Sequence, residues 1–113
     1  MVIIKRAQMS RGVKGVDVTV KSAAGKARSF APTWNMVMGH KNGTLTDEQY
    51  TAQYEKMLNA VSVEAWRWLA SQAINGEVTV LCFCRDGAFC HTYLLAAYAA
   101  KKYPKAFVNG TGE

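Results

Sequence analysis

Val16, Val18 and Val20 alternate with Asp17, Thr19 and Lys21, the period-two signature of a half-buried strand. Ahead of it, the β-branched run Val2–Lys5 predicts a first strand, and polar Gln8–Gly15, with two glycines, predicts a mobile basic loop. Ala24-Gly25-Lys26 supplies a hairpin-like turn toward Arg28–Phe30. Pro32 then opens a short helical segment, Thr33–His40, which Asn42-Gly43 ends. Thr46 with Gln49 three residues on has the form of a capping box. Tyr50, Tyr54, Met57 and Val61 recur behind it at helical spacing, so a helix is expected over 46–59. Ser62 caps a further helix with an apolar stripe of Trp66, Leu69, Ala73 and Ile74, closed by Asn75-Gly76. Trp68 lies off that stripe and suits another core face or an interface.

Val78–Cys84 is different in kind. It is nearly all apolar and lacks alternation, which predicts a central strand buried on both faces, with Phe83 in the core. The loop Arg85-Asp86-Gly87 follows, then a helix over about 89–102 with Leu94, Leu95 and Tyr98 as its core face. Lys101 and Lys102 suit its negative end, Pro104 bars continuation, and Val108–Glu113 reads as a Gly-rich tail. Strands alternating with helices give an α/β class, and the length fits a single domain over residues 1–113. In such sheets ligands sit at the carboxyl ends of strands, which draws attention to Cys82–His91.

Composition sharpens this. Half the residues are hydrophobic and 19% are charged, which excludes a disordered chain. Residues 1–30 hold Lys5, Arg6, Arg11, Lys14, Lys21, Lys26 and Arg28 against the single acid Asp17, while the remainder is balanced. The whole excess of +6 therefore marks one cationic region. No apolar run reaches the roughly 18–20 residues of a membrane span, and the N-terminus lacks the order of a secretory signal. Three clustered cysteines fit reduced thiols, and so a cytoplasmic protein, better than a disulfide scaffold.

Cys82, Cys84 and Cys90-His91 carry the candidate chemistry. A thiol at a helix start faces free N–H groups and the positive dipole end, which stabilise its thiolate. Cys90 and His91 are thus the candidate catalytic pair, with His91 as proton carrier or orienting group. The same geometry makes an anion site with Arg85 nearby. Cys82, in mid-strand, reads first as a packing residue. The spacing has no Cys-x-x-Cys, and no Arg closes a loop after any of the three thiols, which disfavours thioredoxin-type and phosphatase- or rhodanese-like mechanisms. Zinc is disfavoured too, because ligands adjacent in sequence converge poorly on one ion, and no cofactor is implied.

Leu81-Cys82-Phe83-Cys84, a short loop, Phe89-Cys90-His91 and Leu94-Leu95-Ala96 together resemble the family known as domain of unknown function 488. Phe30-Ala31-Pro32-Thr33-Trp34, Lys41-Asn42-Gly43, Thr46–Tyr50, Tyr54 and the closing Gly112-Glu113 are similar to its compact branch, which occurs in bacteria and phages. The resemblance implies a small Rossmann-like α/β fold of two or three layers and a link to nucleotides or nucleic acid. The family commonly has Arg after the Cys-His pair, where this chain has Thr92. An anion site would then draw its charge from Arg85 or from Lys5, Arg6 and Arg11, beside Cys84 and Thr92.

Two functional classes follow. One is a Cys/His-dependent enzyme acting on a nucleotide or another phosphate-bearing substrate. The other is a basic module, inhibitor or adaptor that contacts nucleic acid or an acidic protein partner. Only Phe30 is aromatic in the basic segment, so such binding would engage backbone rather than stack bases.

Overall fold

A computed structural model of the chain describes residues 1–112, so the Glu113 half of the closing Gly-Glu pair lies outside the described residues. Its elements in order are β1 (Val2–Gln8), β2 (Val16–Asp17), a 3-10 helix (Gly25–Phe30), α1 (Trp34–Lys41), α2 (Asp47–Asn59), α3 (Val63–Ser71), β3 (Glu77–Cys82), α4 (His91–Lys102) and β4 (Phe107–Asn109). The four strands form one sheet in the order β2-β3-β1-β4, and every pairing is parallel. This is the small α/β architecture expected from the alternation of strands and helices. Since β4 lies beyond β1, the connection from β3 must cross β1, and α4 accordingly touches β3, β1 and β4.

Parity along the strands sets the layering. Ile4 of β1 and Val78, Val80 and Cys82 of β3 are buried on one face. Helix residues Tyr54, Leu58, Leu69, Leu95, Ala96 and Ala99 join Ile4, Val78 and Val80 in the core. The other face carries Ile3, 36% exposed, and a half-exposed ion pair of Lys5 with Glu77 at 3.1 Å. The expectation that the late strand is buried on both faces therefore fails. Only one face is helix-covered, so β3 alternates after all. Leu81 alone is buried on the far side, with Gly15 close above it. A Cβ on Gly15 would stand 2.5 Å from the Thr79 carbonyl oxygen.

Further differences have local causes. β1 runs through Arg6 to Gln8 rather than stopping at Lys5. The expected strand over 16–21 shrinks to two residues because the Asp17 carboxylate accepts from the Thr19 N–H and hydroxyl, at 2.9 and 2.7 Å, and from the Ser22 hydroxyl. That side chain turns the backbone where the valine alternation would have carried it straight. Gly25, at φ +60°, opens a 3-10 helix instead of a hairpin. Asn75 and Gly76, at φ 54° and 78°, do not cap α3. They form a tight turn between Ile74 and Glu77, which leaves Ile74 71% exposed and off the expected stripe. β3 ends at Cys82, so Phe83 is 52% exposed rather than in the core. The tail contains β4, whose Phe107 is buried. Trp68, half-buried, packs against the core. The capping box at Thr46 and the cap Ser62 form as expected, while Thr33, expected as the first helical residue, is instead the N-cap of α1. No helix among the described residues is long and apolar enough to cross a membrane.

Candidate functional site

β1 and β3 lie side by side in parallel, with Gln8 opposite Cys82, so their carboxyl ends share one rim. Arg6 is paired with Val80 and projects to the same face as Ile4, at the edge where the core gives way to the loop after β3. Its side chain is only 3% exposed. All three guanidinium nitrogens donate. Nη2 donates to Cys82 Sγ at 2.6 Å and to the Cys84 carbonyl oxygen at 2.7 Å. Nε donates to Thr92 Oγ1 at 3.2 Å, and Nη1 pairs with the exposed Asp86 carboxylate. The Tyr93 ring lies 5.0 Å from its carbon, and the Tyr93 hydroxyl accepts from the Gly87 N–H at 2.7 Å. One cation thus ties β1 to the end of β3, to the loop and to the first turn of α4.

Three sulfurs meet above it. Cys90 caps α4 in an extended conformation, and its S–H donates to Cys82 Sγ at 3.1 Å. The Thr92 hydroxyl donates to Cys90 Sγ at 3.3 Å and lies 3.6 Å from Cys82 Sγ. All three cysteine sulfurs lie within 4.8 Å of one another, and all are free thiols. Hydrogen bonds from Cys84 and Cys90, then from Thr92 and Arg6, hold the Cys82 thiol far below the ordinary thiol range. Donation to Cys82 pushes Cys84 and Cys90 upward in turn. Of the three, Cys82 is the thiol whose surroundings most favour the thiolate. Burial works against the charge on Arg6, but its hydrogen bond and charge interaction with Cys82 outweigh that and raise its pKa.

His91 is almost wholly buried. Its Nε2 lies 2.8 Å from the Val18 carbonyl oxygen, while Nδ1 is 3.7 Å from Cys90 Sγ. Desolvation lowers its pKa and keeps the ring neutral, so Nε2–H donates to Val18. The sulfurs open into a cavity of about 170 Å³, walled by Val20, Pro32, Val37, His40, Tyr50 and Phe89. His40 stacks on Phe89 with centroids 4.7 Å apart, and its Nε2 meets Asp47 at 2.5 Å. The Tyr50 hydroxyl is pushed upward by burial and stays neutral.

The three thiols are also a donor set that could hold a metal ion, with which the guanidinium on Cys82 would compete. Sulfurs of a tetrahedral thiolate–zinc site, with Zn–S near 2.3 Å, stand about 3.8 Å apart. Cys82 and Cys90 are closer than that, and a guanidinium already neutralises Cys82.

Of the residues singled out in the sequence, the structure brings together Arg6, Cys84, Cys90, His91 and Thr92. Lys5 points to the opposite sheet face and pairs with Glu77. Arg11 and Arg85 are exposed, with no ion pair among the described residues. Cys82, read first as packing, is the hub, and Tyr93 and His40 were not foreseen. A signal for the Arg6–Cys82 meeting was present. Ile4 and Arg6 share parity in β1, and an Arg on the apolar side of a strand needs an anionic partner.

A family model described as DUF488-N3a, active DUF488-N3 subclade, matches residues 2–102. No curated protein and no solved structure gives a match. The chain belongs to the DUF488 family.

Proposed function

We propose that this DUF488 member is a thiol-dependent enzyme in which Cys82 is the nucleophile. The observation that carries this reading is the Cys82 sulfur held at 2.6 Å from a buried guanidinium and at 3.1 Å from a second thiol, at the inner end of a cavity. A structural cysteine needs no such partners, whereas an activated thiolate does. The thiolate gives its electron pair to an electrophilic atom of the substrate, and the leaving group departs with the pair of the broken bond. Cys90, expected from the sequence as the nucleophile, takes the part of donor to Cys82. His91 fixes the start of α4 against Val18. The apolar and aromatic walls favour an apolar group next to the reacting atom. The family description calls the subclade active, which supports an enzyme without naming a substrate.

The test is alkylation by iodoacetamide between pH 5 and 9, with the modified site mapped by mass spectrometry. An ordinary thiol loses about tenfold in rate per pH unit below its pKa near 8.5. Cys82 is expected to react at a nearly constant rate down to pH 5, and Cys82→Ser to abolish that low-pH reaction. A tenfold loss per unit at Cys82, or low-pH labelling of Cys84 or Cys90 instead, would sink the assignment.

A second reading concerns partners. Arg11, Lys14, Lys21, Lys26 and Arg28 are exposed and make no ion pair among the described residues. Lys21 adjoins Val20 of the cavity wall. This supports a phosphate-bearing substrate, a nucleotide or nucleic acid, whose charge rests on this stretch.

A further inference from the structure

An enzyme that only displaces a leaving group needs one nucleophile. Here a second thiol is aimed at the first. The Cys90 S–H points at Cys82 Sγ across 3.1 Å, and the sulfurs need close by only about 1 Å to reach the ~2.05 Å of a disulfide. Cys84 is less suited to that bond. It stands two residues from Cys82, and so short a ring closes only with strain. Thr92 Oγ1 and the Arg6 guanidinium hold the same sulfur from the protein side, leaving its other side to the cavity. Val20, Pro32, Val37, Phe83 and Phe89 make most of the cavity wall apolar, with Thr19, His40, Tyr50 and His91 as its polar members.

Resting on the assignment of Cys82 as nucleophile, we propose that Cys82 and Cys90 form a redox pair that reduces organic hydroperoxides. The Cys82 thiolate attacks the terminal oxygen of R–O–O–H. The S–O bond forms as the O–O bond breaks, and the alkoxide takes a proton from solvent and leaves as the alcohol. Cys82 is now a sulfenic acid. Cys90 gives up its proton and attacks the Cys82 sulfur. The S–O bond breaks, hydroxide leaves with that proton as water, and a Cys82–Cys90 disulfide remains. The peroxide has gained two electrons and the two thiols have lost them. A small-molecule thiol returns the pair to the reduced state by exchange. Phe89, Val37 and Tyr50 would receive the organic group.

The experiment treats the reduced full chain with one equivalent of cumene hydroperoxide, blocks remaining thiols with N-ethylmaleimide, and maps the products without reduction. Two thiols are expected to disappear together into a Cys82–Cys90 disulfide. Cys90→Ser is expected to stop at a Cys82 sulfenic acid that dimedone traps. With dithiothreitol present, the wild type should consume many equivalents of peroxide. A disulfide to Cys84, or oxidation of Cys82 with Cys90 still free in the wild type, overturns the pairing. If Cys82 is alkylated at pH 5 as described above yet ignores the peroxide, the redox step falls and the nucleophile stands. If Cys82 is inert to both reagents, both fall.

Discussion

His91 illustrates how position fixes the part a side chain can play. From the sequence it is a proton carrier beside Cys90. Folded, it is buried against Tyr54, with centroids 5.6 Å apart, and its Nε2–H is committed to Val18. Burial lowers its pKa, so between that value and about 6.5 the unfolded chain binds a proton that the folded chain refuses. The stability contributed by the neutral ring is thus present above about pH 6.5 and is lost as the pH falls through the window below it. His91→Gln places an amide donor where Nε2 stood and cannot titrate. The wild type should lose melting temperature from pH 7 to pH 5 more steeply than this variant. Parallel melting curves for the two proteins would refute the buried, neutral imidazole. The pair Arg6–Cys82 makes the complementary point. Neither residue's chemistry was readable alone, because each acquires it from a neighbour 76 positions away.

Among the elements, the legible ones are those whose signals are local. The start of α2 is readable because Thr46 and Gln49 hydrogen-bond to each other's backbone N–H groups, at 3.1 and 2.9 Å, within a single turn. Thr46→Ala removes one of those bonds and should cost about 1 kcal/mol, lowering the melting temperature by roughly 4 °C in a domain of this size. A melting point within a degree of the wild type would mean that tertiary contacts such as the Tyr54 hydroxyl to the Phe30 carbonyl, 2.7 Å, fix the helix start unaided. The illegible elements depend on remote partners or on competing side chains. β2 was overextended because valine alternation says nothing of the carboxylate that turns the chain at Asp17. β4 was missed because three residues in a Gly-rich tail become a strand only by pairing with Val2–Ile4. The late strand was overextended to Cys84 because its last residues are apolar, while its register partner, β1, ends at Gln8 opposite Cys82.

The fold sorts the cationic excess of the first thirty residues into two populations. Lys5 and Arg6 enter a strand, and its parity sends one outward to Glu77 and the other inward to the Cys82 sulfur. Arg11, Lys14, Lys21, Lys26 and Arg28 stay in water. Of these seven, only the second group is free to meet a polyanion, which bounds how strongly this stretch can hold one. If all five engaged phosphates of duplex DNA, the slope of log K against log salt would be no steeper than about −4.5. Replacing Lys21, Lys26 and Arg28 together by Ala should make it shallower by about 2.7. Fluorescence anisotropy with a short labelled duplex over a salt series checks both values. Binding that ignores salt, or a slope unmoved in the triple variant, would remove this stretch as an anion surface. The same titration connects the surface to the chemistry. Lys21 adjoins Val20, which walls the cavity over Cys82. A polyanion seated there should therefore slow iodoacetamide alkylation of Cys82 at low salt, and release it as salt rises. Protection that vanishes in the triple variant would mark the basic stretch and the thiolate as parts of one substrate site. Unchanged alkylation under saturating duplex would separate them, leaving the cavity to a small apolar electrophile alone.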